Sequence, residues 1–271
     1  MKFSVLMSIY KKEEPKYFNR AMQSIWDEQI IKPNEIVLVQ DGKLTQELYE
    51  EIGNWKEKLK DILVIVPLEQ NVGLGDALNI GMKHCTYELI ARMDTDDISL
   101  PHRFEKQLEV FKNQDIDICS AWISEFDKDE KEILGHRKLP EYHEEIIKYA
   151  KLRSPVNHIP TMYKKAAVLK AGGYKKMLLL EDYYLWARMI LNGANFYNIQ
   201  EVLANVRAGY GQLERRSGLE YAKNELALLN TLKKEGFLNN FEYIKNIIIK
   251  IPIRLLPKSI IKIVYKFLRK S

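Results

Sequence analysis

Glu88-Leu89-Ile90-Ala91-Arg92-Met93-Asp94-Thr95-Asp96-Asp97 is a short apolar run that ends in three carboxylates within four residues. A run of this length bounded by polar residues reads as a buried strand. Three others precede it, Phe3–Ile9, Ile36–Val39 and Ile62–Val66, and segments with helical spacing separate them. That alternation predicts a βαβαβαβ unit, an α/β fold with a parallel sheet covered on both faces. Open sheets of this kind bind ligands at the carboxyl ends of their strands, where the acids stand. Three like charges this close repel unless a cation or strong donors neutralise them. Hard oxygen ligands favour Mg²⁺ or Mn²⁺, and so few protein ligands leave the remaining positions to phosphate oxygens and water. A metal–diphosphate site is one reading; an acidic turn capping the helix that begins near Pro101, with Asp97 or Ser99 as N-cap, is the other.

Working outward, Pro15 suits a helix start and Pro33 interrupts the link into the second strand. A helix is predicted from Pro101 to about Gln114, then an apolar run Ile116–Phe126 and a polar turn Asp127–Lys131. Helical stretches follow near Glu141–Leu152, Lys164–Ala171, Glu181–Leu191 and Gly218–Glu235. The organisation expected is one domain over 1–240, with a nucleotide-binding half to about 125 and an acceptor-side half over 126–240, and a separate tail over 241–271.

The segment Asn71-Val72-Gly73-Leu74-Gly75-Asp76-Ala77-Leu78-Asn79-Ile80-Gly81 has glycines that let backbone approach a ligand, but neither the GxGxxG fingerprint nor a Walker lysine. Neither a dehydrogenase nor a P-loop enzyme is supported. Cys85 and Cys119 form no CxxC pair, against a disulfide framework or structural zinc, so a reducing cytosol fits best. The first ten residues have too short an apolar run for a signal peptide and read as a buried strand. The eight Lys/Arg of 245–271, with no acid among them, exceed the chain's net charge of +5, so residues 1–244 are net acidic. A nucleic-acid surface needs basic residues spread over the folded body, which this distribution lacks.

Taken in order, several motifs resemble a family 2 glycosyltransferase with the GT-A fold, of the bacterial surface-polysaccharide branch. They are Ser4–Tyr10, Val39-Gln40-Asp41-Gly42, Asn71–Gly81, Met93–Asp97, Glu181-Asp182 with Leu185-Trp186, and Arg215-Arg216. The resemblance implies a Rossmann-like mixed sheet flanked by helices, with a C-terminal helical extension. It implies a UDP-sugar donor: Ser8 and Tyr10 would line the base pocket, Asp41 would accept from the uracil imide, and Asn71 and Gly73 would approach the nucleotide sugar. Asp94 would contact the ribose or assist the metal, and Asp96 would bind a Mn²⁺ or Mg²⁺ ion bridging the diphosphate. The chain departs from the family pattern in having Gln40 before Asp41 and Ile9 where a small polar residue is common.

Glu181 and Asp182 follow an apolar run at a helix start, where acids are stabilised by the helix dipole on local grounds alone. In the family the second acid of such a pair is the catalytic base. Asp182 would then deprotonate the acceptor hydroxyl, while a metal stabilises the leaving diphosphate. In-line attack inverts the anomeric centre. Glu181 would bind acceptor hydroxyls, and Trp186 would offer a ring face to a sugar or else belong to the core. Asn157-His158-Ile159-Pro160-Thr161 resembles the family's Asn-His-x-Thr, which puts His158 at the acceptor or within the fold's own hydrogen bonds. Arg207, Arg215 and Arg216 flank Gly209-Tyr210-Gly211, either a lid whose guanidinium groups, Arg216 among them, meet the diphosphate or a solvated turn.

From Lys250 basic residues recur every fourth position, Arg254, Lys258, Lys262, Lys266 and Lys270, among Ile, Leu, Val and Phe. Pro252 and Pro257 are expected to break any single helix there. No apolar run spans a bilayer, so the tail suits lying on the inner face of the plasma membrane, or packing on its own domain. Membrane attachment fits the polyprenyl-diphosphate-linked acceptors that the resemblance implies. The competing readings are an Asp94-nucleophile phosphohydrolase and a catalytically silent sugar-binding protein.

Overall fold

The computed structural model describes residues 1–208 and 217–256. Strands β1 (Phe3–Ile9), β2 (Glu35–Gln40), β3 (Leu63–Pro67) and β4 (Leu89–Arg92) alternate with helices α1 (Pro15–Ile25), α2 (Gln46–Leu59) and α3 (Leu74–His84). After β4 come β5 (Ile98–Ser99), α4 (Arg103–Asn113), β6 (Ile118–Phe126), β7 (Ile133–Arg137), α5 (His143–Ala150), β8 (Met162–Lys164), α6 (Lys165–Lys170), α7 (Glu181–Leu191) and β9 (Phe196–Arg207). Two further helices, α8 (Leu219–Lys234) and α9 (Asn240–Leu255), close the described chain.

The nine strands form one mixed sheet in the order β3-β2-β1-β4-β8-β6-β9-β5, with β7 hairpinned onto β6. The first four strands pair in parallel, as the alternation predicts. The period of two then sorts their side chains: Val5, Met7, Ile36, Leu38 and Ala91 join a core with α1, α2 and α4, and Leu6, Val37, Val39 and Ile90 join another with α3, α6 and α7. Gly81 lets α3 settle on that second face, because a Cβ there would stand 2.5 Å from Val39 Cγ2 and 2.6 Å from Leu6 Cδ1.

The mixed half departs from the expectation. β8 inserts antiparallel between β4 and β6, and β9, the longest strand, runs parallel to β6 through register shifts near Trp122. Helix α4 begins at Arg103, and its N-cap is His102 without a side-chain bond. The acidic stretch is therefore no cap: the Ser99 N–H donates to Ser24 Oγ at 3.0 Å, and Asp97 accepts from the backbone of β9.

Pro252 was expected to break the tail helix, yet α9 continues through it to Leu255. The proline sits in the final turn, where only one internal bond is lost before the helix ends. An Asn239–Glu242 capping box starts α9. Lys250 and Arg254, assigned from the sequence to a membrane-facing stripe, instead pair with the buried Glu225 of α8, at 3.5 Å and 2.7 Å. Lys258, Lys262, Lys266 and Lys270 lie outside the described residues.

Candidate active site

The carboxyl ends of β1 and β2 carry Ser8, half-buried, Tyr10, exposed, and Asp41, buried. Asp41 organises the turn before α3. Its Oδ1 accepts from the Val72 N–H at 2.7 Å, and its Oδ2 accepts from Asn71 Nδ2 at 2.8 Å and from the Gly73 N–H at 3.2 Å. Gly42 must be glycine for this closure: its φ is +84°, and a Cβ would meet the Asn71 nitrogen at 2.7 Å. Both oxygens of Asp41 thus hold the 71–73 turn, a role the sequence did not disclose.

Beyond β4 the chain carries Asp94, Thr95, Asp96 and Asp97 across to β5. Beneath them lie two fully buried arginines, Arg92 and Arg103. Arg92 donates to the Met93 carbonyl and to Asp94 Oδ1, and Arg103 donates to the Arg92 carbonyl at 2.6 Å and the Thr161 carbonyl at 3.3 Å. Burial, then the neighbouring Arg92, pulls the Arg103 guanidinium down to about 9. A lone arginine inside the apolar run Leu89–Met93 was the available signal for this buried cation.

The acids show the opposite stress. Burial raises the Asp96 carboxyl to about 7, with Asp94 and Glu13 adding to the rise, and Asp97 is held well above the carboxylate range by burial and by Asp96. Glu13 is raised too, chiefly by burial, and accepts from Thr95 Oγ1 at 2.5 Å. Among the described residues no group of three or more His, Cys, Asp or Glu is arranged as a metal cage. The cluster offers instead a few hard oxygens in excess negative charge, a donor set that fits Mg²⁺ or Mn²⁺ completed by phosphate and water.

Asp97 Oδ1 accepts from the Arg207 N–H at 2.8 Å. The Arg207 side chain passes between the rings of Tyr17 and Phe126, 3.7 Å and 4.6 Å from their centroids, and its Nε donates to the Asp96 carbonyl at 3.3 Å. Of the expected arginine lid, Arg207 is therefore a fixed strut. Arg215 and Arg216 lie outside the described residues, as do Gly209, Tyr210 and Gly211.

One cavity of about 720 Å³ joins the two acid groups: Asp94 and Asp97 line it together with Glu181 and Asp182. Glu181 and Asp182 occupy the first turn of α7, aimed by a turn in which Leu179 adopts φ +65°. A left-handed leucine costs about 1–2 kcal/mol, a strain of the kind found where backbone must present a functional group. The start of α3 abuts this pair, since a Cβ on Gly75 would lie 3.6 Å from Glu181 Cγ. Glu181 is raised by burial and by Asp182.

His158 also lines the cavity and shares a hydrogen bond of 2.9 Å between its Nε2 and Tyr174 Oη. Burial, then Arg92, pushes its imidazole down to about 4, so it is neutral at pH 7. Asn79 of α3 holds this wall, accepting from the Tyr174 N–H and donating to the Tyr174 carbonyl, both at 2.8 Å. Trp186 requires a correction. It is fully buried and absent from the cavity wall, one turn deeper than Asp182 on α7, with its ring set edgewise 6.0 Å from His158. Both the sheet and the C-terminal helices cover α7, so no face of that ring remains for a sugar.

A mixed sheet with acids at a parallel strand's carboxyl end, and a second acid pair lining the same cavity, is the arrangement of a GT-A fold. The chain matches the model of Glycosyl transferase family 2 over residues 4–178, and it belongs to that family of glycosyltransferases. It is 40% identical to the UDP-Gal:alpha-D-GlcNAc-diphosphoundecaprenol beta-1,3-galactosyltransferase of Escherichia coli, over 98% of this chain and 95% of that one. It is 39% identical to the amylovoran biosynthesis glycosyltransferase AmsE of Erwinia amylovora, over 99% of this chain and all of that one. Its fold matches the mannosyltransferase PcManGT from Pyrobaculum calidifontis, solved with GDP-Man and Mn²⁺, at a TM-score of 0.67 and 16% identity, covering 91% of this chain and 68% of that one. Family membership removes the phosphohydrolase reading, and Asp94 is in any case ion-paired with Arg92.

Proposed function

We propose that this glycosyltransferase moves a sugar from a UDP-sugar, with inversion, onto a hydroxyl of a saccharide linked through diphosphate to a polyprenyl lipid, in bacterial surface-polysaccharide synthesis. The single cavity shared by Asp94 and Asp97 with Glu181 and Asp182 carries the proposal. The Escherichia coli relative's UDP-Gal donor and diphosphoundecaprenol acceptor, and the Erwinia relative's polysaccharide role, support its substrates.

Ser8 and Tyr10, at the end of β1, and Asn71 and Gly73, on the turn that Asp41 holds in shape, face the nucleoside, and Asp41 also meets the base. Asp96, assisted by Asp94, would hold a Mn²⁺ or Mg²⁺ ion, which when bound would offset charge on the leaving diphosphate. Arg216 is assigned to the same diphosphate. Asp182 accepts the proton of the attacking hydroxyl; as the oxygen bonds to the anomeric carbon, the bond from that carbon to the diphosphate oxygen breaks and its electron pair leaves with UDP. Glu181 and the neutral His158 orient acceptor hydroxyls.

No described helix is long and apolar enough to cross a membrane. The exposed Phe241, Ile244 and Ile248 of α9, together with the basic residues beyond it, suit peripheral attachment to the inner face of the membrane from the cytoplasm. Thermal unfolding with UDP, GDP and dTDP, each with and without Mn²⁺, tests the donor assignment. UDP with Mn²⁺ at about a hundred times its Kd should contribute about 2.7 kcal/mol, a shift of roughly 5 °C or more. A larger shift with GDP, or one indifferent to metal, rejects it.

A further inference from the structure

Burial alternates along the stretch that joins β4 to β5: Asp94 and Asp96 are half-buried, whereas Thr95 and Asp97 are buried. Each of the two buried residues is anchored by a different part of the chain. Asp97 Oδ1 accepts from the Arg207 N–H of β9. Thr95 Oγ1 donates to Glu13 Oε2 at 2.5 Å, across 82 positions of sequence. That length is typical of a charge-assisted bond from a hydroxyl to a carboxylate.

Glu13 is itself held in place. It lies half-buried between β1 and α1, where its N–H donates to the Tyr10 carbonyl at 3.0 Å and its Oε1 accepts from the Glu14 N–H at 2.9 Å. Both carboxylate oxygens are thus engaged, one within its own turn and one with the acidic stretch. Glu13 also stands close enough to that stretch for its charge to add to the rise of the Asp96 carboxyl, and Asp94 acts on Glu13 in the same sense. Charge alone would make Glu13 repel its neighbours, so what it supplies to the stretch is the bond.

We propose that Glu13 is a positioning residue for metal binding, which through Thr95 fixes the backbone that carries Asp94 and Asp96. The proposal deepens the metal-dependent donor site proposed above and rests on it. Arg92 holds the Asp94 side chain, and Arg207 holds the Asp96 carbonyl and Asp97. Glu13 supplies the anchor at the residue between the two acids, so its loss displaces both. Groups that orient metal ligands without touching the ion typically contribute about 10–100-fold in affinity.

The test is calorimetric binding of Mn²⁺ to the full chain at saturating UDP, in Thr95→Val, Glu13→Ala, their double variant and Thr95→Ser. Each of the first two should weaken Mn²⁺ binding about tenfold, and the double variant should be no weaker than the worse single one. Thr95→Ser, which keeps the hydroxyl, should bind within about threefold of wild type. UDP binding without metal should stay within about twofold in every variant, which a general loss of structure would not allow. Unchanged Mn²⁺ binding in both single variants, additive losses in the double variant, or an equal loss of metal-free UDP binding overturns the proposal. If Glu13→Ala does not fold, Thr95→Val decides alone, because it preserves the shape of the buried side chain. If wild-type UDP binding is indifferent to Mn²⁺, the metal-dependent donor reading fails, and Mn²⁺ titrated alone and followed by its electron paramagnetic resonance signal decides the positioning role. Binding about tenfold weaker in the variants then upholds it; equal binding by all the proteins, or by none, refutes it.

Discussion

Replacing Asp41 by Asn probes whether the nucleotide end of the site is built as the structure shows. Asp41 is 4% exposed and receives three donors, the Val72 N–H, the Gly73 N–H and Asn71 Nδ2. An amide keeps one acceptor oxygen and turns an NH₂ toward the donor or donors of the other, so at least one bond is lost and at least one donor is opposed. Bonds to a charged acceptor contribute about 1.5–3 kcal/mol each, and water at the partly open turn restores some of the loss, which leaves an expected destabilisation of about 2–4 kcal/mol. With a urea m-value of about 3 kcal/mol/M, the unfolding midpoint should fall by roughly 1 M at unchanged m. UDP affinity should fall with it, because the turn before α3 loses its anchor. A midpoint within about 0.2 M of wild type refutes the anchoring role; retained stability with lost UDP affinity leaves the carboxylate a contact to the base alone.

Gly42→Ala combines a left-handed φ of +84° with a 2.7 Å approach to the Asn71 nitrogen, and should cost about 2–4 kcal/mol in chemical unfolding. His158 sits near 4 in the fold against about 6.5 unfolded, so its contribution is complete above pH 6.5 and is lost as the pH falls toward 4, by at most about 3 kcal/mol. Asp96 titrates in the opposite sense over the same range, so the measurement is the difference in stability between wild type and His158→Gln at each pH; a difference independent of pH contradicts the depressed imidazole. Asp96→Ala should remove most of the Mn²⁺-dependent gain in UDP affinity while leaving metal-free binding similar, as calorimetry with and without chelator would show.

Strands β1, β2 and β4 were legible because each is buried on both faces and so reads as a continuous apolar run, and the half-buried β3 because Leu63–Val66 is apolar throughout, with helical spacing between. β9 was not, since Phe196–Arg207 mixes Asn, Gln, Glu and Arg with its apolar residues and loses its alternation where the register shifts against β6. β8 is three residues long and runs directly into α6, too short a run to read as a strand, with only its last residue, Lys164, reached by the predicted helix. In the site, Asp94, Glu181, Asp182 and His158 were found through motifs and all line the cavity. Trp186 was misplaced because a helix start shows its acids but not how many faces of the helix are covered. The supports, Glu13 against Thr95 and Arg103 against the Arg92 carbonyl, connect residues far apart in the chain or carry no motif, and only folding brings them together.

Asp182 stands or falls on turnover. In Asp182→Asn, kcat should drop roughly 10²–10⁴-fold, about 3–5 kcal/mol of lost transition-state stabilisation, with UDP affinity preserved. Turnover at the wild-type rate would show that the carboxylate facing the 94–97 acids takes no proton in the reaction.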